Sequence, residues 1–139
     1  MKWLIAEDEA DIRVLVATMC RLWGHEPLVF ENGQQVWDWL DAVEADRYAE
    51  PLPNLVLMDI RMPGKRGNEI ARRMRTLTPF KQRPIVLMTA FALNAGERSR
   101  MVENDGVDYI IGKPLPDFEE LRTLLHNLID GDGRAKRQV

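Results

Sequence analysis

Four short stretches of this chain end in side chains that could do chemistry together. Trp3-Leu4-Ile5-Ala6 runs into Glu7-Asp8-Glu9, and Leu55-Val56-Leu57-Met58 ends in Asp59. Pro84-Ile85-Val86-Leu87-Met88 leads to Thr89-Ala90, and Asp108-Tyr109-Ile110-Ile111 leads to Lys113-Pro114. Apolar runs of this length, bounded by turn residues, fit strands buried on both faces of a parallel sheet. In an open α/β sheet, ligands bind at the carboxyl ends of such strands. Each residue also has an ordinary use. Asp59 could serve the Pro63-Gly64 turn, and on the strand alone that use fits as well as chemistry does. Asp8 could cap a helix, Thr89 could be structural, and Lys113 could be a solvated turn residue. It is the joint pattern that ordinary uses do not readily produce.

Three carboxylates brought close repel one another, and in a partly dry cleft at least one stays protonated without a counter-charge. A hard divalent cation removes the repulsion. Mg2+ takes one or two carboxylates, several waters and a substrate phosphate, so the chemistry suggested is phosphoryl transfer. Asp59 would be the nucleophile and form an acyl phosphate. Asp8 would hold the metal, Glu7 would support it through water, and Lys113 and Thr89 would contact phosphoryl oxygens. His25 in a turn and His126 on the last helix are not placed to act as bases and read as ordinary residues.

The elements that must position these groups follow from hydrophobic periodicity. Ile12, Leu15, Val16, Met19 and Trp23 recur at helical spacing, giving a first helix from about Asp11 that Gly24 stops. Pro27-Leu28-Val29-Phe30 is a second strand, with Asn32-Gly33 turning after it. Val36, Leu40 and Val43 carry a second helix with Trp37 and Trp39 at its flanks, used for packing. A third helix is predicted over Gly67–Leu77, ended by Thr78-Pro79. A fourth spans about Asn94–Asn104, closed by Asp105-Gly106, and Leu121, Leu124, Leu125 and Leu128 carry the fifth. Five alternating strands and helices predict an α/β fold: a doubly wound five-stranded parallel sheet, order 2-1-3-4-5, of flavodoxin-like type. In that order the first and third strands flank the switch point, so Glu7, Asp8 and Asp59 converge there.

The chain has 139 residues, 45% hydrophobic and 29% charged, which fits one globular domain over about 1–130 and a polar, flexible tail at 131–139. A net charge of −3 calls for neither nucleic acid nor an anionic membrane. The longest apolar runs fall far short of the roughly 20 residues that span a bilayer. The N-terminus does not read as a signal peptide, so a cytoplasmic location is expected. Cys20 is the single cysteine and sits at packing positions of the first helix.

Glu7-Asp8, Met58-Asp59-Ile60-Arg61-Met62-Pro63-Gly64, Thr89-Ala90 and Lys113-Pro114 together resemble the receiver domain of two-component response regulators. The resemblance runs from Lys2 to about Ile129 and suggests a stand-alone, chemotaxis-regulator-like receiver. It implies that Asp59 accepts a phosphoryl group from a phosphohistidine on a sensor histidine kinase or histidine phosphotransfer protein. It implies Mg2+ as cofactor, with Asp8, Asp59 and the Arg61 backbone carbonyl as ligands and Glu7 in support. Thr89 is then the switch hydroxyl, Lys113 the phosphate-contacting lysine, and Lys113-Pro114 commonly a cis bond. Such a protein turns over no external substrate.

Two departures matter. Receivers usually carry an aromatic three residues before the lysine, where this chain has Ile110; Tyr109, one place earlier, points to the opposite face by strand alternation. Threonine-linked loop movement is still implied, with Thr89, Ile110 and Phe91 as switch and output positions. Lys65-Arg66 also stands where an apolar residue and an aspartate are common, and reads as a solvated loop or a lure for an acidic donor surface. Arg61 and Phe91 flank the path of a hydrolytic water, so the acyl phosphate is expected to be comparatively long-lived. Without a DNA-binding module, output is expected through protein contacts or a phosphorelay, with a homodimer through helix four, strand five and helix five as one form. The downstream target is not indicated. Other readings are a phosphorylation-independent interaction module on this fold, a haloacid-dehalogenase-like phosphatase, and a flavin-binding protein. Arg61 stands where the phosphatase needs a second aspartate, and Glu7-Asp8-Glu9 would repel a flavin phosphate.

Overall fold

Alternation within the apolar runs divides the core into two layers. The computed structural model describes residues 1–131. Its strands are β1 (Lys2–Ala6), β2 (Glu26–Phe30), β3 (Leu55–Asp59), β4 (Ile85–Thr89) and β5 (Tyr109–Gly112). Its helices are α1 (Ala10–Leu22), α2 (Gly33–Glu44), α3 (Gly67–Arg75), α4 (Ala95–Glu103) and α5 (Phe118–Asp130). All strands pair in parallel in the order β2-β1-β3-β4-β5, as the alternation of elements predicts. The tail expected at 131–139 lies, apart from Gly131, outside the described residues.

Successive strand residues point to opposite faces. Leu4, Ala6, Val56, Met58, Ile85 and Leu87 meet Val36 and Leu40 of α2, Ile70 and Met74 of α3, and Met101 of α4. Trp3, Ile5, Leu55, Leu57, Val86 and Met88 meet Val16 and Met19 of α1 and Leu121, Leu125 and Leu128 of α5. The three central strands are buried along their whole length. That is why they read as unbroken apolar runs rather than alternating ones. Cys20 lies in the α1–α5 layer, where burial pushes its thiol up to about 11. Among the described residues, no helix is long and apolar enough to cross a membrane.

Helix ends follow local chemistry. Asn32, Asn94 and Asp117 accept hydrogen bonds from the amides of Gln35, Glu97 and Glu120 at 2.8, 2.8 and 2.9 Å. Gly24, at φ +87°, closes α1. The third helix stops at Arg75, two residues before the predicted Leu77. Thr76 and Leu77 instead bond three residues back, at 3.0 and 2.9 Å, and Thr78–Phe80 forms a 3-10 turn. Asp108, which the apolar run places at the start of the fifth strand, precedes it. Its carboxylate accepts from the Ile85 amide and from Arg75, both at 2.8 Å, so it ties the start of β4 to α3.

His25 and His126, distant in sequence, meet between α1 and α5 with their Nε2 atoms 2.8 Å apart. His126 Nδ1 lies 2.7 Å from the Arg122 carbonyl and must donate to it. With a neutral His126 ring, its Nε2 is then the acceptor and His25 Nε2 the donor. The His25 ring stacks on Trp3 at 4.4 Å, and burial lowers its pKa.

The Arg75–Asp108 pair is 13% and 1% exposed, whereas Arg122 and Glu119 form an open pair on α5. Removing one partner of a buried pair strands the other. Arg75→Met is expected to lose about 3 kcal/mol in urea denaturation. Arg122→Met should leave the unfolding midpoint almost unchanged.

Candidate functional site

Strand register alone builds the site. Ala6 pairs with Met58, so the next residues, Glu7 and Asp59, emerge side by side at the carboxyl edge. Asp59 in turn pairs with Met88, one residue before Thr89, and Thr89 pairs with Gly112, one residue before Lys113. The Lys113 amide donates to the Thr89 carbonyl at 2.7 Å, and the Lys113-Pro114 bond is cis. Glu7, Asp8 and Asp59 each offer a carboxylate oxygen, and these oxygens lie within 4.8 Å of one another. Glu7 and Asp59 are buried and Asp8 is exposed. Lys113 Nζ lies 2.5 Å from Glu7, 3.3 Å from Asp59 and 3.8 Å from Glu9.

Close backbone packing holds the loops around this edge. A Cβ on Gly67 would sit 2.4 Å from the Asp59 carbonyl oxygen, so only glycine lets α3 begin there. A Cβ on Gly33 would sit 1.8 Å from the Lys65 carbonyl oxygen. The Gly33 amide donates to Pro63 at 3.1 Å, seating the β3–α3 loop on the start of α2.

Burial raises the Glu7 carboxyl to about 7; the hydrogen bond from Lys113 opposes the rise and the charge of Asp59 adds to it. Burial also raises Asp59, against the charge of Lys113. For Lys113, burial alone would lower the pKa, but the Glu7 hydrogen bond and the charges of Asp59 and Glu7 outweigh it and raise it. The result is an edge with a surplus of negative charge at neutral pH, which a divalent cation would relieve. The donor set, all carboxylate oxygen, fits a hard cation such as Mg2+.

The Thr89 hydroxyl accepts from the Phe91 amide at 3.0 Å and is thereby turned onto the β4–α4 loop. The Phe91 ring is half exposed and carries the Arg61 guanidinium at 3.9 Å, so the β3–α3 and β4–α4 loops are joined above the site. A cleft of about 340 Å3 beside them is lined by Asp8, Arg61, Met62, Pro63 and Arg66. Lys65 leans over Trp37, 4.6 Å from its ring. Ile110 packs into the α2–α3–α4 layer, while Tyr109 is exposed on β5. Sequence reasoning did not single out Arg13, and it took Gly33 only as a turn residue and Gly67 only as the start of the third helix. No periodicity marks them, because their roles depend on loop backbones that meet only in the fold.

Glu7 should leave a pH signature. A carboxyl whose folded pKa lies above its unfolded value binds its proton more tightly in the folded state. Its stabilisation is complete below the unfolded value and is lost as pH rises through about 7. Without divalent cations, raising pH from about 5 to about 7.5 should cost the wild type about 1–3 kcal/mol more than Glu7→Gln in urea denaturation. His25 titrates with the opposite sign in both proteins and cancels, so the difference reports Glu7 together with its effect on Asp59 and Lys113. Equal pH dependence of the two would contradict this reading.

The architecture and the edge have counterparts among known proteins. The family model described as response regulator receiver domain matches residues 3–126. The phosphate regulon transcriptional regulatory protein PhoB of Pseudomonas aeruginosa is 34% identical over 141 residues, covering 98% of this chain and 56% of that protein. Sporulation initiation phosphotransferase F of Bacillus subtilis is 31% identical over 123 residues, covering 87% of each. The chain thus spans a little over half of the first relative and most of the second. Among solved structures, the receiver domain of a signal transduction histidine kinase from Syntrophus aciditrophicus superposes with a TM-score of 0.75. It is 22% identical, with 94% of this chain and 90% of that one covered. The chemotaxis response regulator CheY4 of Vibrio cholerae gives a TM-score of 0.71 at 22% identity, covering 91% and 97%. With a family model spanning nearly the whole fold and the acidic edge in place, this chain belongs to the response regulator receiver domain family.

Proposed function

We propose that Asp59 accepts a phosphoryl group from a phosphohistidine donor in a Mg2+-dependent reaction, and that the chain signals through protein contacts or a phosphorelay. The observation that carries this reading is the meeting of three carboxylates and Lys113 at one sheet edge. An Asp59 carboxylate oxygen attacks phosphorus, the P–N bond to the donor imidazole breaks, and the imidazole leaves with its electron pair, taking a proton from solvent. Asp8, Asp59 and the Arg61 carbonyl would hold Mg2+, with Glu7 in support through water. The ion supplies charge neutralisation on the transferring oxygens. Lys113, already 3.3 Å from Asp59, supplies an ammonium to the phosphoryl group. Thr89 exchanges its bond with the Phe91 amide for one to a phosphoryl oxygen, which releases the β4–α4 loop. The chemistry is confined to the chain's own aspartate, with no external substrate turned over.

A sensor histidine kinase or histidine phosphotransfer protein is the partner this chemistry requires. An apolar groove of about 560 Å3 begins at Lys113 and runs between α1 and the β5–α5 loop, past Ile12, Leu15, Leu22, Leu115 and Phe118. Leu15 and Leu22 are 52% and 70% exposed, so the donor has an apolar surface beside the reactive edge. Output through α4, β5 and α5, by a homodimer or another protein, belongs to the same reading, as does a cytoplasmic location. The Arg61–Phe91 stack, 3.9 Å from guanidinium to ring, would crowd a hydrolytic water, which supports a long-lived acyl phosphate. A phosphorylation-independent interaction module is the alternative on this fold.

Intact mass after incubation with Mg2+ and acetyl phosphate should show one phosphoryl increment, absent in Asp59→Asn and with chelator. Followed after removal of donor, the increment should decay faster in Arg61→Asn and Phe91→Ala. No increment, with Mg2+ binding intact, would overturn autophosphorylation from small donors and favour the interaction module. Unchanged decay in both variants would remove the shielding role.

A further inference from the structure

Arg13 stands beneath the acidic edge without touching its carboxylates. It lies in the second turn of α1, with its side chain only 17% exposed. Its Nη1 donates to the Glu7 backbone carbonyl at 2.9 Å and lies 3.5 Å from the Asp8 carbonyl. Its Nη2 lies 3.8 Å from Glu31, at the end of β2. One guanidinium therefore joins the turn after β1 to the turn after β2, and the Glu7 amide donates across the same gap to Phe30 at 3.2 Å.

The two acidic residues above it are held very differently. The Glu7 carboxylate is fixed by Lys113 at 2.5 Å and by the Glu9 amide at 3.2 Å. The Asp8 carboxylate is exposed and, among the described residues, has no hydrogen bond or ion pair of that kind, so its backbone sets its aim. The peptide units that carry it are those whose carbonyls face Arg13.

We infer that Arg13 is a positioning residue for the divalent cation site: by gripping the Glu7 and Asp8 carbonyls it aims the Asp8 carboxylate toward Asp59. This rests on the cation-dependent reading proposed above. A planar fork with several donors can hold two neighbouring carbonyls and an adjacent carboxylate at once, which an ammonium cannot. The sign of the effect separates positioning from simple charge. Removing a nearby positive charge would tighten binding of a cation, whereas loosening the Asp8 turn would weaken it.

The test is a Mg2+ titration of the full chain, followed by backbone amide NMR shifts around Asp59, for wild type, Arg13→Met and Arg13→Lys. Dispersed spectra establish that each variant is folded. Positioning predicts Mg2+ binding weakened about threefold to tenfold in Arg13→Met. Arg13→Lys, which keeps the charge and loses the fork, should be weakened as well. Phosphorylation by acetyl phosphate should recover in both variants when Mg2+ is raised to saturation. Unchanged or tighter Mg2+ binding in Arg13→Met would overturn the inference. Failure of the wild type itself to bind Mg2+ would instead defeat the reading on which it rests.

Discussion

A parallel sheet buried on both faces must end somewhere, and here three of its strands end in, or just before, charged side chains. Lys113 makes that tolerable. Its ammonium lies between Glu7 and Asp59, two carboxyls that burial alone drives toward protonation. A single cation facing Glu7, Asp59 and the exposed Asp8 cannot balance them all. The edge is therefore neutralised enough to fold and left acidic enough to attract a further cation. The arrangement depends on β5 reaching the same level as β1 and β3, which the pairing of Thr89 with Gly112 ensures.

The rest of the fold serves that edge by keeping its parts in register. The strand alternation that sends Trp3 and Ile5 to α1 and α5, and Leu4 and Ala6 to α2 and α3, fixes which residue emerges next at the top of β1. A slip of one residue would exchange the two core layers, so the packing of both faces protects the position of Glu7. Close approaches extend the control to the loops. Gly67 brings α3 against the Asp59 carbonyl, and Gly33 seats the β3–α3 loop on α2. Above them, the Arg61–Phe91 stack joins the loop that follows Asp59 to the loop governed by Thr89. The same pair of side chains thus touches both loops.

Much of this was legible in the sequence because buried parallel strands leave an unmistakable trace. The runs ending at Ala6, Met58 and Met88 could be placed, and with them the sheet order and the convergence of Glu7, Asp8, Asp59, Thr89 and Lys113. Element ends were less legible, for local reasons. Leu77 carries the helical periodicity of α3, yet the turn before Pro79 tightens to 3-10 geometry and drops it from the helix. Asp108 reads as part of an apolar strand, yet its carboxylate is taken by Arg75 and the Ile85 amide. His25 and His126 look unremarkable apart, and only the packing of α5 on α1 brings their rings together. Side chains that act on backbone carbonyls, as Arg13 does, leave no pattern in a sequence at all.

In the proposed reaction the phosphoryl group is carried by Asp59 and by neither acidic neighbour. Incubation with acetyl phosphate and Mg2+, followed by borohydride reduction and peptide mass mapping, tests it directly, because an aspartyl phosphate is reduced to homoserine while free carboxylates survive. Phosphorylation of Asp59 gives homoserine at that position alone. Conversion at Asp8 or Glu7 instead, or conversion that persists in Asp59→Asn, would contradict it.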